Sequence, residues 1–286
     1  MIDMNNILVA TDLTLNSAHA LDRAIQLADV TQAKLHVFHQ ALDLSLPGKH
    51  SEEESLSEKT LDKIRDFIEQ NKRCANIDYE IHIKSKGRTY ELIDKCARDV
   101  RADLVIMGLT NKYKNTPSFV STTSERVIQT GNYPVLMVSH KVTGLYQNIL
   151  FYLNMNDLSP RAFKLAFRFN PKGGFVFLPA FNVLPTVNGG FWGKRRAKRY
   201  FNKRERFINE ARQTLEKYEG NPQNIEYKDI QDVGANLLLA EAQKNEAGLV
   251  CIDLHTYTAS LHLKVKGFAG KLLQHPPSDV LVVKRI

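Results

Sequence analysis

Short apolar runs and segments of helical period alternate along the chain. Asn6–Asp12, NILVATD, is an apolar run of strand length that ends in a carboxylate. Between Ser17 and Ala28, residues Ala20, Leu21, Ala24, Leu27 and Ala28 fall at helical spacing, and Lys34–His39 is a second apolar run. A polar, acidic connection leads to a helix from about Ser57 to Asn71, and an alternating strand, Ile77–Ile83, follows. Gly87 opens a helix over Tyr90–Arg98, and Leu104–Met107 is a fourth strand. A helix over Thr122–Thr130 leads to a fifth, Val135–Val138. Strands that alternate with helices of about ten or more residues predict a parallel, doubly wound sheet.

The order then starts again. Asn148–Asn154, NILFYLN, matches Asn6–Asp12; Ser159–Phe169 matches the first helix and Phe175–Pro179 the second strand. Gly234–Ala242 corresponds to Gly87–Lys95, Leu249–Asp253 to Leu104–Gly108, and Gly267–Val283 to Thr122–Val138. Matching elements in one order predict two α/β domains in tandem, each a Rossmann-like, doubly wound, five-stranded parallel sheet. Their bounds are 1–140 and 147–286, joined near Ser139–Gln147.

Composition adds limits. A chain of 286 residues, 43% hydrophobic, can bury two ordinary cores. No apolar run approaches the roughly 18 residues of a membrane span, and Met1–Asn6 lacks a basic-then-apolar leader pattern. Three scattered cysteines, Cys74, Cys96 and Cys251, suit neither a disulfide framework nor a zinc site. A cytoplasmic protein is the expectation. The charge is concentrated: Lys194–Arg206 holds eight basic residues against one acid, Glu205, and so carries nearly all of the formal +8. Ser51–Glu58, in contrast, is acidic.

ILVATD, an alanine-rich helix, KLHVFH, Gly87 before a helix, DLVIMG and PVLMV together resemble the universal stress protein family, and the repeat resembles its tandem members. The resemblance implies a parallel sheet between helices, with some members binding ATP and others not. In the ATP-binding branch the motif is Gly-x2-Gly-x9-Gly-Ser/Thr after the fourth strand, with an Asp at the end of the first. Here Asp12, preceded by Ala10, stands at the adenine-facing position, and Val37 matches the apolar residue on the base. Met107 and Gly108 match the strand end. The second glycine is Asn111, followed by Lys112 as a counter-charge; the third is Ser121, followed by Thr122 at the hydroxyl position, with Thr123 beside it at the helix start.

Two motif glycines are therefore replaced. At about 1–2 kcal/mol for each forced left-handed residue, binding weakens roughly ten- to a thousandfold, while the hydroxyls and amides at the helix start favour an anion. The resemblance thus implies an ATP site, with Mg accompanying the nucleotide, in the first domain. Each residue also has a purely structural use. Asp12 can cap the next helix, and Thr122 with Glu125 can form a capping box. In the second domain Asp12 becomes Asn154, Gly108 becomes Asp253, the second glycine becomes Thr256 and the Gly-Ser pair becomes Lys266–Gly267. Asp253 opposes phosphate, so no ATP site is expected there. KGFAGKL does not have the spacing of a phosphate loop.

No catalytic constellation emerges. Gly-x-Ser-x-Gly and His-Glu-x-x-His are absent, and His36 and His39 lie at odd spacing on one strand, facing opposite sides. His19, His82, His255, His262 and His275 show no ligand spacing with the cysteines, so no metal site is expected. Cys96 lies among apolar residues and packs. The first expectation is a non-catalytic stress-response protein. The resemblance implies pairing through the last strands, Val135–Val138 and Leu281–Val283, as an internal pseudo-dimer, with a homodimer beyond it. A slow nucleotide hydrolase or transferase using Asp12 and Lys112 is the alternative. A third reading is a binder of nucleic acid, membrane surface or an acidic partner through Lys194, Arg195, Arg196, Lys198, Arg199, Lys203 and Arg204, interleaved with Trp192, Tyr200 and Phe201. That segment reads as the loop after the second strand of the second domain. Its plain alternatives are a solvated helix start or a contact with the acidic Ser51–Glu58.

Overall fold

The computed structural model describes residues 4–41, 50–71, 77–109, 122–154, 160–180, 190–217, 225–228, 235–254 and 276–284. The chain divides into two compact units, Asp3–Thr143 and Gly144–Ile286. Described elements of the first are β1 (Asn6–Thr11), α1 (Leu15–Thr31), β2 (Lys34–Gln40), α2 (His50–Glu69), β3 (Tyr79–Lys84), α3 (Thr89–Asp99), β4 (Leu104–Gly108), α4 (Thr123–Thr130) and β5 (Val135–Val138). Its strands lie in the order β3-β2-β1-β4-β5, all parallel.

The second unit holds β6 (Asn148–Asn154), α5 (Pro160–Phe169), β7 (Gly174–Ala180), α6 (Gly190–Lys217), β8 (Ile225–Tyr227), α7 (Ala235–Lys244), β9 (Leu249–Leu254) and β10 (Asp279–Lys284). Here the parallel order is β8-β7-β6-β9-β10. Position by position this is the order of the first unit. Ser159, Gly234 and the part of the repeat from Gly267 to His275 lie outside the described residues.

Both sheets are apolar on both faces, as parallel strands covered by helices must be. Ile7, Leu8 and Val9 of β1, Leu104, Val105 and Ile106 of β4, and Leu35 and Val37 of β2 are fully buried. On α1 the small residues Ala20, Ala24 and Ala28 let the helix lie close to the sheet, with Leu21, Ile25 and Leu27 filling the space between. The second unit solves the same problem with rings. Phe151 of β6 stacks on Phe177 of β7 at a centroid distance of 4.9 Å, and Phe163 of α5 packs over Phe175 and Phe177 at 5.5 and 5.7 Å.

Two expectations need correction. The acidic stretch Ser51–Glu58 is not a connection but the opening turns of α2, glutamate being a good helix former. Lys194–Arg206 is not loop either, since α6 runs through it from Gly190 to Lys217; Lys, Arg, Ala and Glu are good helix formers, and no Pro or Gly interrupts them after Gly193. The second unit's remaining strand, β8, has only three residues, Ile225–Tyr227, too few to show a period in the sequence.

Candidate functional site

In doubly wound sheets, ligands settle outside the carboxyl ends of the strands, where the order turns back on itself. In the first unit that point lies between β1 and β4. Ala10 is paired in register with Met107 on one side and with Phe38 on the other, and Thr11 is level with His39. The ends of β1, β2 and β4 therefore come together.

Thr11 organises the turn from β1 into α1. Its Oγ1 accepts from the Leu13 amide (3.1 Å) and donates to Ser17 Oγ (3.0 Å), which donates in turn to the Thr14 carbonyl (3.0 Å). His39 Nδ1 lies 2.9 Å from the Thr11 carbonyl, which can only accept, so Nδ1 carries the proton. The chain turns tightly enough that Leu13 adopts a left-handed φ of 61°. Asp12 does not cap α1. The N-cap is Thr14, and Asp12 holds it from one step back, its Oδ1 accepting from the Thr14 amide (3.1 Å) and hydroxyl (2.6 Å). The Asp12 side chain is exposed. Partial burial raises its pKa, but hydrogen bonds from Thr14 and Ser17 outweigh that and hold it below the usual value of 3.8.

Gly108 ends β4, but its missing side chain does not leave open room for a ligand. An added Cβ would stand 2.7 Å from the Asn16 carbonyl oxygen and 3.0 Å from the Ser17 amide. The glycine lets the start of α1 lie against β4. Val37 is fully buried at the level of Val9 and Ile106, on the sheet face opposite the one shared by Ala10 and Met107.

At the start of α4 the capping box is complete. Thr122 Oγ1 accepts from the Glu125 amide (3.2 Å), and Glu125 Oε2 accepts from the Thr122 amide (3.1 Å). Thr123 is exposed, while Glu125 is buried. The positive end of the α4 dipole thus already faces a carboxylate. Asn111, Lys112 and Ser121 lie outside the described residues. In the second unit Asn154 closes β6 and Asp253 lies in β9, while Thr256, Lys266 and Gly267 fall outside the described residues.

The basic residues fall on α6. Lys194, Arg195, Lys198 and Arg199 are exposed, as is Arg206. Arg196, Lys203, Arg204, Trp192 and Tyr200 lie on the same helix, and Phe201 is exposed.

The pattern along single strands misses two groups of residues. Gln40, at the end of β2, donates through Nε2 to the Gly87 carbonyl (3.0 Å) and accepts from Thr89 Oγ1 (2.5 Å), which ties β2 to the start of α3. His36 and His39 do face opposite sides, but His36 meets ligand-type side chains from β3, Glu80 and His82. The β2–β3 register, rather than spacing along one strand, brings these three side chains together. Cys96 and Cys251 are free and buried, and burial pushes the Cys96 thiol up to about 11. No helix among the described residues is long and apolar enough to cross a membrane.

Residues 4–139 match the model of the Universal stress protein family, so the first unit carries a universal stress protein domain. No curated protein matches the chain. A universal stress protein from Archaeoglobus fulgidus DSM 4304 has a similar fold over 99% of this chain and 97% of its own, at 16% identity and a TM-score of 0.69. A functionally unknown protein from Pseudomonas aeruginosa PAO1 is similar over 98% and 92%, at 18% identity and a TM-score of 0.65. A universal stress protein in complex with cAMP is similar over 48% of this chain and 98% of its own, at 21% identity and a TM-score of 0.37.

Proposed function

We propose that this chain is a non-catalytic binding protein made of two universal stress domains in tandem, with one adenine-nucleotide site, in the first. The supporting observation is that Thr11–Asp12 and Gly108 close neighbouring parallel strands at the point where the strand order turns. Asp12 is an exposed, ionised acceptor on a rigid turn, suited to a nucleobase amine or a ribose hydroxyl. The phosphate end fits less well. Glu125 occupies the helix end that a phosphate would use, so phosphates add little and ATP, with any Mg2+ it carries, binds mainly through its adenosine part. The second unit, with Asn154 and Asp253 at the matching positions, holds no nucleotide.

Calorimetric titration of the full chain tests the reading. ATP, ADP and adenosine bind at one site per chain, with affinities within about tenfold of each other, and Asp12→Ala abolishes the heat. Absence of heat and of any change in melting temperature at millimolar ATP overturns it. One observation favours a second reading. Lys194, Arg195, Lys198, Arg199 and Arg206 are exposed on one stripe of α6, beside the exposed ring of Phe201, which suits the backbone of a nucleic acid.

A further inference from the structure

We propose that His36, Glu80 and His82 form a three-ligand site for a borderline divalent cation of the zinc class, on the sheet face opposite the one that carries Thr11 and Gly108. In the parallel register His36 pairs with Glu80 and Phe38 with His82, so the three side chains project from one face of β2 and β3. Thr11 and Gly108 face the other way, against the start of α1. The cluster and the strand-end crevice are separate.

The ligand atoms already stand at coordination spacing. His36 Nδ1 is 3.0 Å from His82 Nε2 and 3.7 Å from Glu80 Oε2, and His82 Nε2 is 3.9 Å from Glu80 Oε1. A tetrahedral ion with bonds of about 2.0–2.1 Å sets neighbouring donors about 3.3 Å apart. Shifts of about half an ångström would seat the ion, and the exposed Glu80 can supply most of them.

The surroundings suit a ligand role. His36 Nε2 lies 3.2 Å from Asn6 Oδ1. A proton on Nε2, donated to that oxygen, leaves the Nδ1 lone pair aimed at the cluster, which is how protein groups commonly orient a metal-binding histidine. Burial lowers the pKa of both histidines, so they are neutral at pH 7. Lys34, Asp78, Lys84, Asp99 and Glu80 are the charged groups acting on them. Without an ion, His82 Nε2–H donates to His36 Nδ1; on binding, His82 shifts its proton to Nδ1, so each neutral ring gives a lone pair to the cation with no net loss of a proton. Lys34 Nζ, 3.2 Å from Glu80 Oε2, competes with the ion, but Asp78 at 4.0 Å offers it another partner. Two imidazoles and a carboxylate favour Zn2+, Cu2+ or Ni2+ over Mg2+ or Ca2+. Three protein ligands leave one position for water.

The test is calorimetric titration of the chelator-stripped full chain with Zn2+, in two buffers of different ionisation enthalpy, alongside the visible spectrum of the Co2+ form. Saturable binding of one ion with no net proton released by the two neutral imidazoles, and Co2+ bands of tetrahedral intensity, are expected. Asn6→Ala weakens the site about tenfold. His82→Ala and Glu80→Gln each weaken it by more than that, and Mg2+ gives no heat. Circular dichroism checks that each variant folds. Glu80, exposed and outside the core, decides the matter should a histidine variant not fold. Lack of saturable Zn2+ binding, or wild-type affinity in Glu80→Gln, overturns the proposal and leaves a histidine–histidine hydrogen bond.

Discussion

Asp12 has a structural role that depends on pH. In the free protein its carboxylate fixes Thr14, and Thr14 caps α1. Hydrogen bonds that favour the ionised form lower its pKa below the unfolded value near 3.8, so the charge-dependent stabilisation is complete above that value and is lost as pH falls through the lower, folded one. Asp12→Ala therefore costs about 1 kcal/mol at pH 7, and the gap to wild type narrows as the pH drops below 3.8. Urea unfolding of both proteins from pH 2 to 7 measures it, and a constant gap would show that the charge plays no part. The capping box of Thr122 and Glu125 was legible in the sequence because its residues are three apart and both roles are local. The Thr11–Ser17 hydroxyl pair was not, because a Thr at a strand end and a Ser in the next helix have no local signature that joins them. Gly108 was legible as a required glycine but not for its reason, since the backbone it admits is that of α1.

At the scale of elements, the strands were readable because fully buried parallel strands are nearly continuous apolar runs, as in Leu104–Met107 and Val135–Val138. The long polar helices were harder. α2 and α6 begin in stretches so charged that they read as connections, although glutamate, lysine and arginine are good helix formers. Once α6 is a helix, its basic residues become a stripe rather than a tail: Lys194, Arg195, Lys198 and Arg199 recur at three- and four-residue spacing and are exposed. Reversing these four charges leaves the fold intact, because none is buried. If the stripe holds a nucleic-acid backbone, affinity falls steeply with salt, and each phosphate contact removed lowers the log–log salt slope by about 0.9. Fluorescence titration of duplex DNA at several salt concentrations reads the slope. Equal slopes for wild type and the charge-reversed chain would assign α6 to ordinary solvation.

At the scale of the whole molecule, the strand order shared by the two units has a trace in the sequence, where strand-end runs such as NILVATD and NILFYLN read alike. The His36–Glu80–His82 cluster has none, because it depends on the register between strands whose ligands are more than forty residues apart in sequence; a local period cannot report that. The two units also differ where a ligand would sit. Asp12 and Gly108 in the first become Asn154 and Asp253 in the second, exchanging an acceptor and a small residue for a neutral amide and a negative charge. A nucleotide should therefore slow backbone exchange unequally. With ATP added to the full chain, hydrogen–deuterium exchange slows in the turn from Thr11 to Ser17 and around Met107–Gly108, the strand ends of the proposed site. The matching segments around Asn154 and Asp253 keep their rates. Equal protection of both segments would mean that Asp253 does not repel the ligand and that the second unit is itself a binding site; protection of neither would remove the strand-end crevice from consideration.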